Sequence, residues 1–344
     1  MYRKLVCIFI LFLSAIPVMG SDFAVEVVSY SGPFGSSPYN DPYAVLDKPT
    51  TWVDDFFNGK TACSLVYSAC ETDLNSGKLI TTIKSGAYII IKFDHRIADD
   101  VGNPYGIDFI VFGNCFFRNG GYLTPDTDMG QYFLTVPASI NAEPVKVSVA
   151  QNAGGPWYSF TSGPYGDTAF PTNAFAWDRD ANEWGVELDW LKPVDPCLSS
   201  SDFNGLSAAD AIELYNGSAG GTGFDLKDLD PTDYAALAVD PNTGRKWIQY
   251  IKVEYLPDGN YAGEIDGFSD VAGGGDYQHP VGDLNIDGKV DYSDLAMLGD
   301  YWLCNITSYK DAGVIADLYE DGVVNFRDFA LLANNWRRCT IGCN

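Results

Sequence analysis

A duplicated acidic loop near the C-terminus constrains this chain more than any other feature. The stretch Asp283-Leu-Asn285-Ile-Asp287-Gly288-Lys-Val-Asp291-Tyr-Ser-Asp294 returns 34 residues on as Asp317-Leu-Tyr-Glu-Asp321-Gly322-Val-Val-Asn325-Phe-Arg-Asp328. In the first copy, side-chain oxygens occupy loop positions 1, 3, 5, 9 and 12, and glycine occupies position 6. A hard cation such as Ca2+ takes roughly six to eight oxygen ligands, and glycine allows the sharp bend between them. The spacing assigns Asp283, Asn285, Asp287, Asp291 and Asp294 to one ion, with the backbone carbonyl of Lys289 at position 7. In the second copy it assigns Asp317, Asp321, Asn325 and Asp328, with the carbonyl of Val323. Each loop runs into a stretch whose apolar residues recur at i, i+3 and i+7: Leu295, Leu298 and Trp302, then Phe329, Leu332 and Trp336. That period predicts a helix with one apolar face after each loop.

Two EF-hand-like loops, each followed by a helix and lacking an entering helix, resemble the dockerin module of bacterial polysaccharide-degrading systems. The resemblance covers residues 281–340. It implies a small α-helical module of paired F-hands, calcium as the cofactor and a cohesin-like protein as the partner. The positions that commonly set partner choice in that family align with Tyr292-Ser293 and Phe326-Arg327. The second loop departs from the pattern at position 3, where Tyr319 replaces an oxygen ligand. Its affinity is therefore expected to be weaker unless Glu320 or water compensates.

The first 20 residues have the pattern of a secretory leader. Arg3 and Lys4 supply the positive start, Leu5 to Ile16 the apolar core, and Val18-Met-Gly20 the small-residue cleavage site. The apolar run is too short for a membrane span, so a secreted or cell-surface location is expected. The chain carries 46 acidic and 21 basic residues, a net charge of −25. Losing Arg3 and Lys4 takes it to about −27, which disfavours nucleic acid and anionic membranes as partners. Seven cysteines follow the leader, and in an exported protein disulfides are the default. Cys63 with Cys70, Cys115 with Cys197, and Cys304 with Cys339 or Cys343 are the pairings considered, with at least one thiol left over. With no CxxC pair and two histidines, zinc is not expected.

Residues 21–272 read as a mainly β domain. Val145–Val149 and Ile251–Tyr255 alternate apolar and polar residues, as half-buried strands do. Tyr88–Phe93 and Ile107–Phe112 read as strands buried on both faces, and turn-rich stretches separate them all. Many short strands joined by polar loops favour a two-sheet sandwich. One helix is expected over Ala208–Leu214, capped by Ser207. A glycine-rich linker, residues 273–280, leads into the calcium loops. The segments Asp41–Thr50, Gly86–Asp94, Pro104–Asn114, Gly220–Leu229, Trp247–Tyr255 and Glu264–Phe268 together resemble a family of secreted proteins of planctomycete-type bacteria. That resemblance spans about 240 residues and implies a jelly-roll, galactose-binding-like β-sandwich without an assigned chemistry. Jelly rolls of this kind often hold a structural ion near their terminal strands, which implies a second calcium site at Glu264 and Asp266. Asp99, Asp100 and Asp108 form another acidic cluster.

Three functions compete for the large domain. A glycoside hydrolase, cleaving O-glycosyl bonds in polysaccharide catabolism, needs two carboxylates about 5–9.5 Å apart. Asp54, Asp55, Asp108, Glu187, Asp189, Glu264 and Asp266 are candidates, but no spacing singles out a pair. No Gly-x-Ser-x-Gly elbow accompanies His95 or His279, and His95 is expected at the surface. A non-catalytic polysaccharide-binding role draws on aromatic platforms beside polar partners. Trp157, Trp177, Trp184 and Trp190, set among Gly, Pro, Asn and Asp, are its candidate ligand-binding residues. The third reading is a structural surface protein. The sequence favours a calcium-dependent module that attaches a non-catalytic sandwich to a polysaccharide-degrading or cell-surface assembly.

Overall fold

The computed structural model describes residues 20–55, 59–69, 80–100, 102–119, 121, 123–241, 244–257, 262–272, 281–285, 289–306, 313–319 and 321–338. Most of the expected leader, the whole expected linker, and Cys70, Asp287, Cys339 and Cys343 lie outside these residues. Nine strands build the sandwich: β1 (Glu26–Ser31), β2 (Thr81–Ile83), β3 (Tyr88–Ala98), β4 (Phe109–Gly113), β5 (Val145–Ala150), β6 (Tyr158–Ser159), β7 (Thr222–Phe224), β8 (Trp247–Tyr255) and β9 (Gly263–Asp270). They form an antiparallel five-stranded sheet, β1-β3-β8-β5-β6, and an antiparallel four-stranded sheet, β7-β4-β9-β2. This is the expected two-sheet sandwich.

Register explains the core. Ile91 pairs with Ile251, and Ile251 pairs with Val149, so one row of side chains crosses the five-stranded sheet on its inner face. Val111 pairs with Phe268 and Thr222 in the facing sheet. Phe93, Phe109, Phe160, Phe224 and Ile265 complete this inter-sheet core, all fully buried. Side chains alternate along a strand, so β4 sends Phe109 and Val111 inward but Ile110 and Phe112 to the opposite face. There a second core, built from long connections, covers them with Trp190, Phe203 and Tyr215 among others. The four-stranded sheet is thus covered on both faces, which is why Phe109–Gly113 reads as an unbroken apolar run. Helix α1 (Ala208–Leu214) belongs to that outer layer and starts where expected, with Ser207 Oγ accepting the Asp210 N–H at 3.1 Å. A short α2 (Pro231–Ala236) follows β7.

The C-terminal module contains α3 (Tyr292–Asp300) and α4 (Phe326–Asn334) around a small separate core of Leu284, Val290, Leu298, Leu318, Val324 and Leu332. Its turn at Val314–Ala316 lies against the Pro104–Gly106 turn of the sandwich. No disulfide joins two described cysteines, so the expected Cys115–Cys197 tie is not made. Cys115 is buried beside Asp167, whose carboxylate accepts its backbone N–H at 2.8 Å, whereas Cys197 sits in the loop ahead of the Ser200–Phe203 turn.

Because β4 is packed on both faces, Ile110→Ala is expected to destabilise the sandwich by about 2–5 kcal/mol, as a core truncation does. Glu26→Ala, on an exposed edge position paired with Lys92, is expected to stay within about 0.5 kcal/mol. Denaturant unfolding of the two variants checks this; a near-neutral Ile110→Ala contradicts the two-sided core.

Candidate metal centres

Each acidic loop is closed by its own last residue. Asp294 is fully buried, and its Oδ1 accepts the N–H groups of Leu284 (2.7 Å) and Asn285 (3.1 Å) while Oδ2 accepts that of Asp291 (2.7 Å). Asp328, equally buried, repeats the arrangement with Tyr319 (2.8 Å) and Asn325 (2.7 Å). Asp291 and Asn325 in turn cap the helices by accepting the N–H groups of Ser293 and Arg327, both at 2.8 Å. One carboxylate therefore folds the loop and starts the helix, a capping box in both repeats.

The repeats also close on each other. Val290 of the first loop exchanges backbone hydrogen bonds with Arg337 and Arg338 beyond α4, at 2.9 and 3.0 Å. Val324 of the second does the same with Leu303 and Cys304 beyond α3, at 2.8 and 3.1 Å. Leu303 and Arg337 both adopt left-handed backbone after their helices. Tyr292 meets Trp336 edge-on at 5.1 Å, and Trp302 meets Phe326 at 5.0 Å. The module is a pseudo-symmetric pair in which neither loop is complete without the other repeat.

The side-chain oxygens of the loops are the donor type that a divalent cation takes. Asp283, Asn285, Asp291 and Asp294 flank one turn with Lys289 between them, but among the described residues the acids of neither loop bring three oxygens within 4.8 Å of one another. Burial pushes the Asp294 carboxyl up, opposed by its hydrogen bonds, and the neighbouring Asp283 pushes it further. Burial likewise raises Asp317, and Asp328 and Asp321 add to it. Opposing charge from an oxygen-preferring cation would relieve both. The second loop is already partly compensated. Arg327 pairs with Asp321 at 2.7 Å and lies over the ring of Tyr319, 5.0 Å from its centroid. Asn325 Nδ2 donates to the Val323 carbonyl at 2.7 Å, using an oxygen that the spacing reserves for the ion. Sequence spacing signalled Tyr319 but not Arg327, which acts through a fold-back of six positions.

In the sandwich, Glu264 and Asp266 do not converge. Asp266 is fully buried and accepts the Thr50 N–H (2.7 Å) and hydroxyl (2.9 Å), while Glu264 accepts from Thr82 (2.8 Å) and Asn114. Glu264 also shares a hydrogen bond with Glu143, whose carboxyl burial pushes up to about 8. The acids that do converge are Asp99, Asp108 and Asp225, with one oxygen from each lying within 4.8 Å of the others. Asp100 turns away to pair with Arg245. Asp108 accepts from Asn103 Nδ2 and the Leu226 N–H, both at 2.9 Å. Burial, with Asp225 and Asp99 adding to it, raises Asp108 well above the carboxylate range; burial chiefly raises Asp225 to about 7. Gly106, at φ 70°, leaves room for the Asp225 carboxylate, which a Cβ there would meet at 2.8 Å. Asp225 is distant in sequence and reaches the cluster because β7 pairs with β4.

The four tryptophans do not form one platform. Trp190 is buried, packs on Phe112 at 5.5 Å and donates Nε1–H to Glu187 at 2.6 Å; burial removes it from the surface candidates. Trp177 and Trp184 are a cross-strand pair, edge to face at 5.1 Å, packed on the outer core. Trp157 is half-buried and makes no ring contact with them among the described residues. A groove of about 470 Å³ lies elsewhere, lined by Phe117, Ile140, Phe170, Ser139, Ser199 and Ser200. His95 remains partly exposed at a strand surface, as expected, but is not free there. It is held between two carboxylates, Nδ1 to Asp94 at 2.8 Å and Nε2 to Asp270 at 2.7 Å.

Tyr319→Asn restores an oxygen at position 3 of the second loop. Calcium titration calorimetry is expected to show the weaker site tightening by about tenfold, roughly 1.4 kcal/mol, with the first site unchanged. An unchanged second site would mean that Tyr319 is not what limits it.

No curated protein matches the chain. Residues 281–335 match the family model for the dockerin type I domain, so the duplicated loops belong to a C-terminal dockerin module that follows an N-terminal β domain.

Proposed function

We propose that this is an exported attachment protein: a leader of residues 1–20, a β-sandwich to residue 272, a linker, and a calcium-loaded dockerin module to residue 340 that docks on a cohesin-like partner. The observation that carries the reading is the match of residues 281–335 together with the reciprocal closure of the two loops. Asp283, Asn285, Asp287, Asp291 and Asp294, with the Lys289 carbonyl, hold the first ion. Asp317, Asp321, Asn325 and Asp328, with the Val323 carbonyl, hold the second. The chemistry the ion supplies is charge neutralisation, which lets the acidic loops pack and both helices present their faces. Tyr292 and Phe326, three-quarters exposed, flank those faces at equivalent positions.

The sandwich is the cargo. Its groove beside Phe170 combines aromatic rings with serine hydroxyls, the pairing that a sugar ring and its hydroxyls require. That supports a polysaccharide ligand for a non-catalytic domain.

Both parts are testable on one preparation. The full chain, passed over an immobilised type I cohesin, is expected to be retained with calcium and released by chelator, and Asp294→Asn is expected to lose retention. The same protein applied to an insoluble polysaccharide panel is expected to bind at least one member through the groove, with Phe170→Ala lowering retention and leaving cohesin capture intact. Capture that ignores calcium overturns the docking reading; no retained polysaccharide overturns the cargo reading.

A further inference from the structure

The stretch that follows the expected leader is tied to both sheets. The Asp22 carbonyl accepts the Asp270 N–H at 3.0 Å, the Ala24 N–H reaches the Phe268 carbonyl at 3.3 Å, and the Val25 N–H reaches the Lys92 carbonyl at 3.0 Å. Residues 22–25 are thereby stitched to β9 of one sheet and β3 of the other. Just ahead of them, the backbone nitrogen of Ser21 lies 3.1 Å from both carboxylate oxygens of Asp94. Ser21 Oγ accepts the Phe23 N–H at 3.2 Å, which fixes the residue in place. Asp94 is also bound to His95 Nδ1, and His95 Nε2 to the buried carboxylate of Asp270.

Equidistance from two carboxylate oxygens suits an ammonium, which has three hydrogens, better than a peptide N–H, which has one. The small-residue pattern Val18-Met-Gly20 ends at this nitrogen. We infer that Asp94 is a seat for the α-ammonium created when the leader is removed between Gly20 and Ser21. In that step an endopeptidase of the export pathway adds water across the Gly20–Ser21 peptide bond. The leader leaves with the Gly20 carboxylate, and Ser21 keeps the nitrogen, protonated at neutral pH. The new charge completes a hydrogen-bonded chain, from Ser21 to Asp94 to His95 to Asp270, which ties the mature terminus to both sheets. Processing then stabilises the folded domain rather than merely shortening it. The inference rests on the leader reading.

The groups facing the new terminus are Asp22, Asp94, His95 and Asp270. Burial pushes Asp94 up, but the hydrogen bonds from His95 and Ser21 outweigh it and hold its carboxyl below the usual value. Burial lowers His95, but its bonds to Asp270 and Asp94 outweigh that and raise it. An α-amino group ordinarily titrates at about 7.7–8.0, and an adjacent carboxylate raises that value in the folded state. Its contribution is therefore complete below the unfolded value and is lost as pH rises through the folded one.

The test compares two preparations of the chain from Ser21 to Asn344, one with a free α-amine and one Nα-acetylated, which removes the charge and leaves the single N–H of an amide. The free amine is expected to titrate above about 8 by NMR. Acetylation is expected to lower Tm by about 1–3 °C at pH 6.5 and to have no effect at pH 10, and Asp94→Asn is expected to abolish the difference. An amine that titrates at its ordinary value, with equal Tm for both forms, overturns the seat. The wild-type titration decides this even if the Asp94 variant fails to fold. Intact mass of the exported protein is expected to begin at Ser21; a different start overturns the leader boundary while the in vitro comparison still judges the seat.

Discussion

Burying one carboxylate beside another is costly, and this chain does it in several places. Asp294 and Asp328 in the module, and Asp108, Asp167, Asp266 and Asp270 in the sandwich, are all essentially inaccessible. Each accepts hydrogen bonds from nearby donors. Asp167 collects the Cys115 and Glu143 N–H groups, Asp266 both donors of Thr50, and Asp270 the imidazole of His95. Asp294 and Asp328 spend their oxygens on the backbone of their own loops while remaining surrounded by other acids. Hydrogen bonds satisfy the oxygen atoms but do not cancel the repulsion between neighbouring charges. In the proposed reading, a divalent cation would do so in the module.

The pseudo-symmetry of the module extends this logic. Each loop is zipped to the segment that follows the other repeat's helix, and each terminal tryptophan covers the other repeat's first helical aromatic. Ordering one loop therefore helps to place the second. The loop with Tyr319 at position 3 accordingly keeps the same closing hydrogen bonds as its twin. Arg327 pairs with Asp321, and the capping box of Asn325 and Asp328 holds the turn.

The parts of this fold governed by local chemistry were legible in the sequence. The helices after the two loops, the Ser207 cap and the strand at Val145–Val149 each depend on residues within a few positions of one another, and each appears where expected. The unbroken run in β4 also read correctly as doubly buried, although its second cover comes from loops without periodic signals. What did not read through were contacts set by strand pairing. Asp225 joins Asp99 and Asp108 only because β7 lies beside β4, and His95 gains its second carboxylate only because β9 places Asp270 against it. The tryptophans misled for a related reason: closeness in sequence from Trp157 to Trp190 did not translate into a common surface, because one entered the core and two paired with each other.

The account depends most on calcium ordering the module while leaving the sandwich untouched. Amide hydrogen exchange on the full chain, with calcium and after chelation, reports this residue by residue. The account predicts strong protection of α3, α4 and the Val290 and Val324 pairings with calcium only, and unchanged protection in β3, β4, β8 and β9. Equal protection of α3 and α4 in both conditions would contradict it.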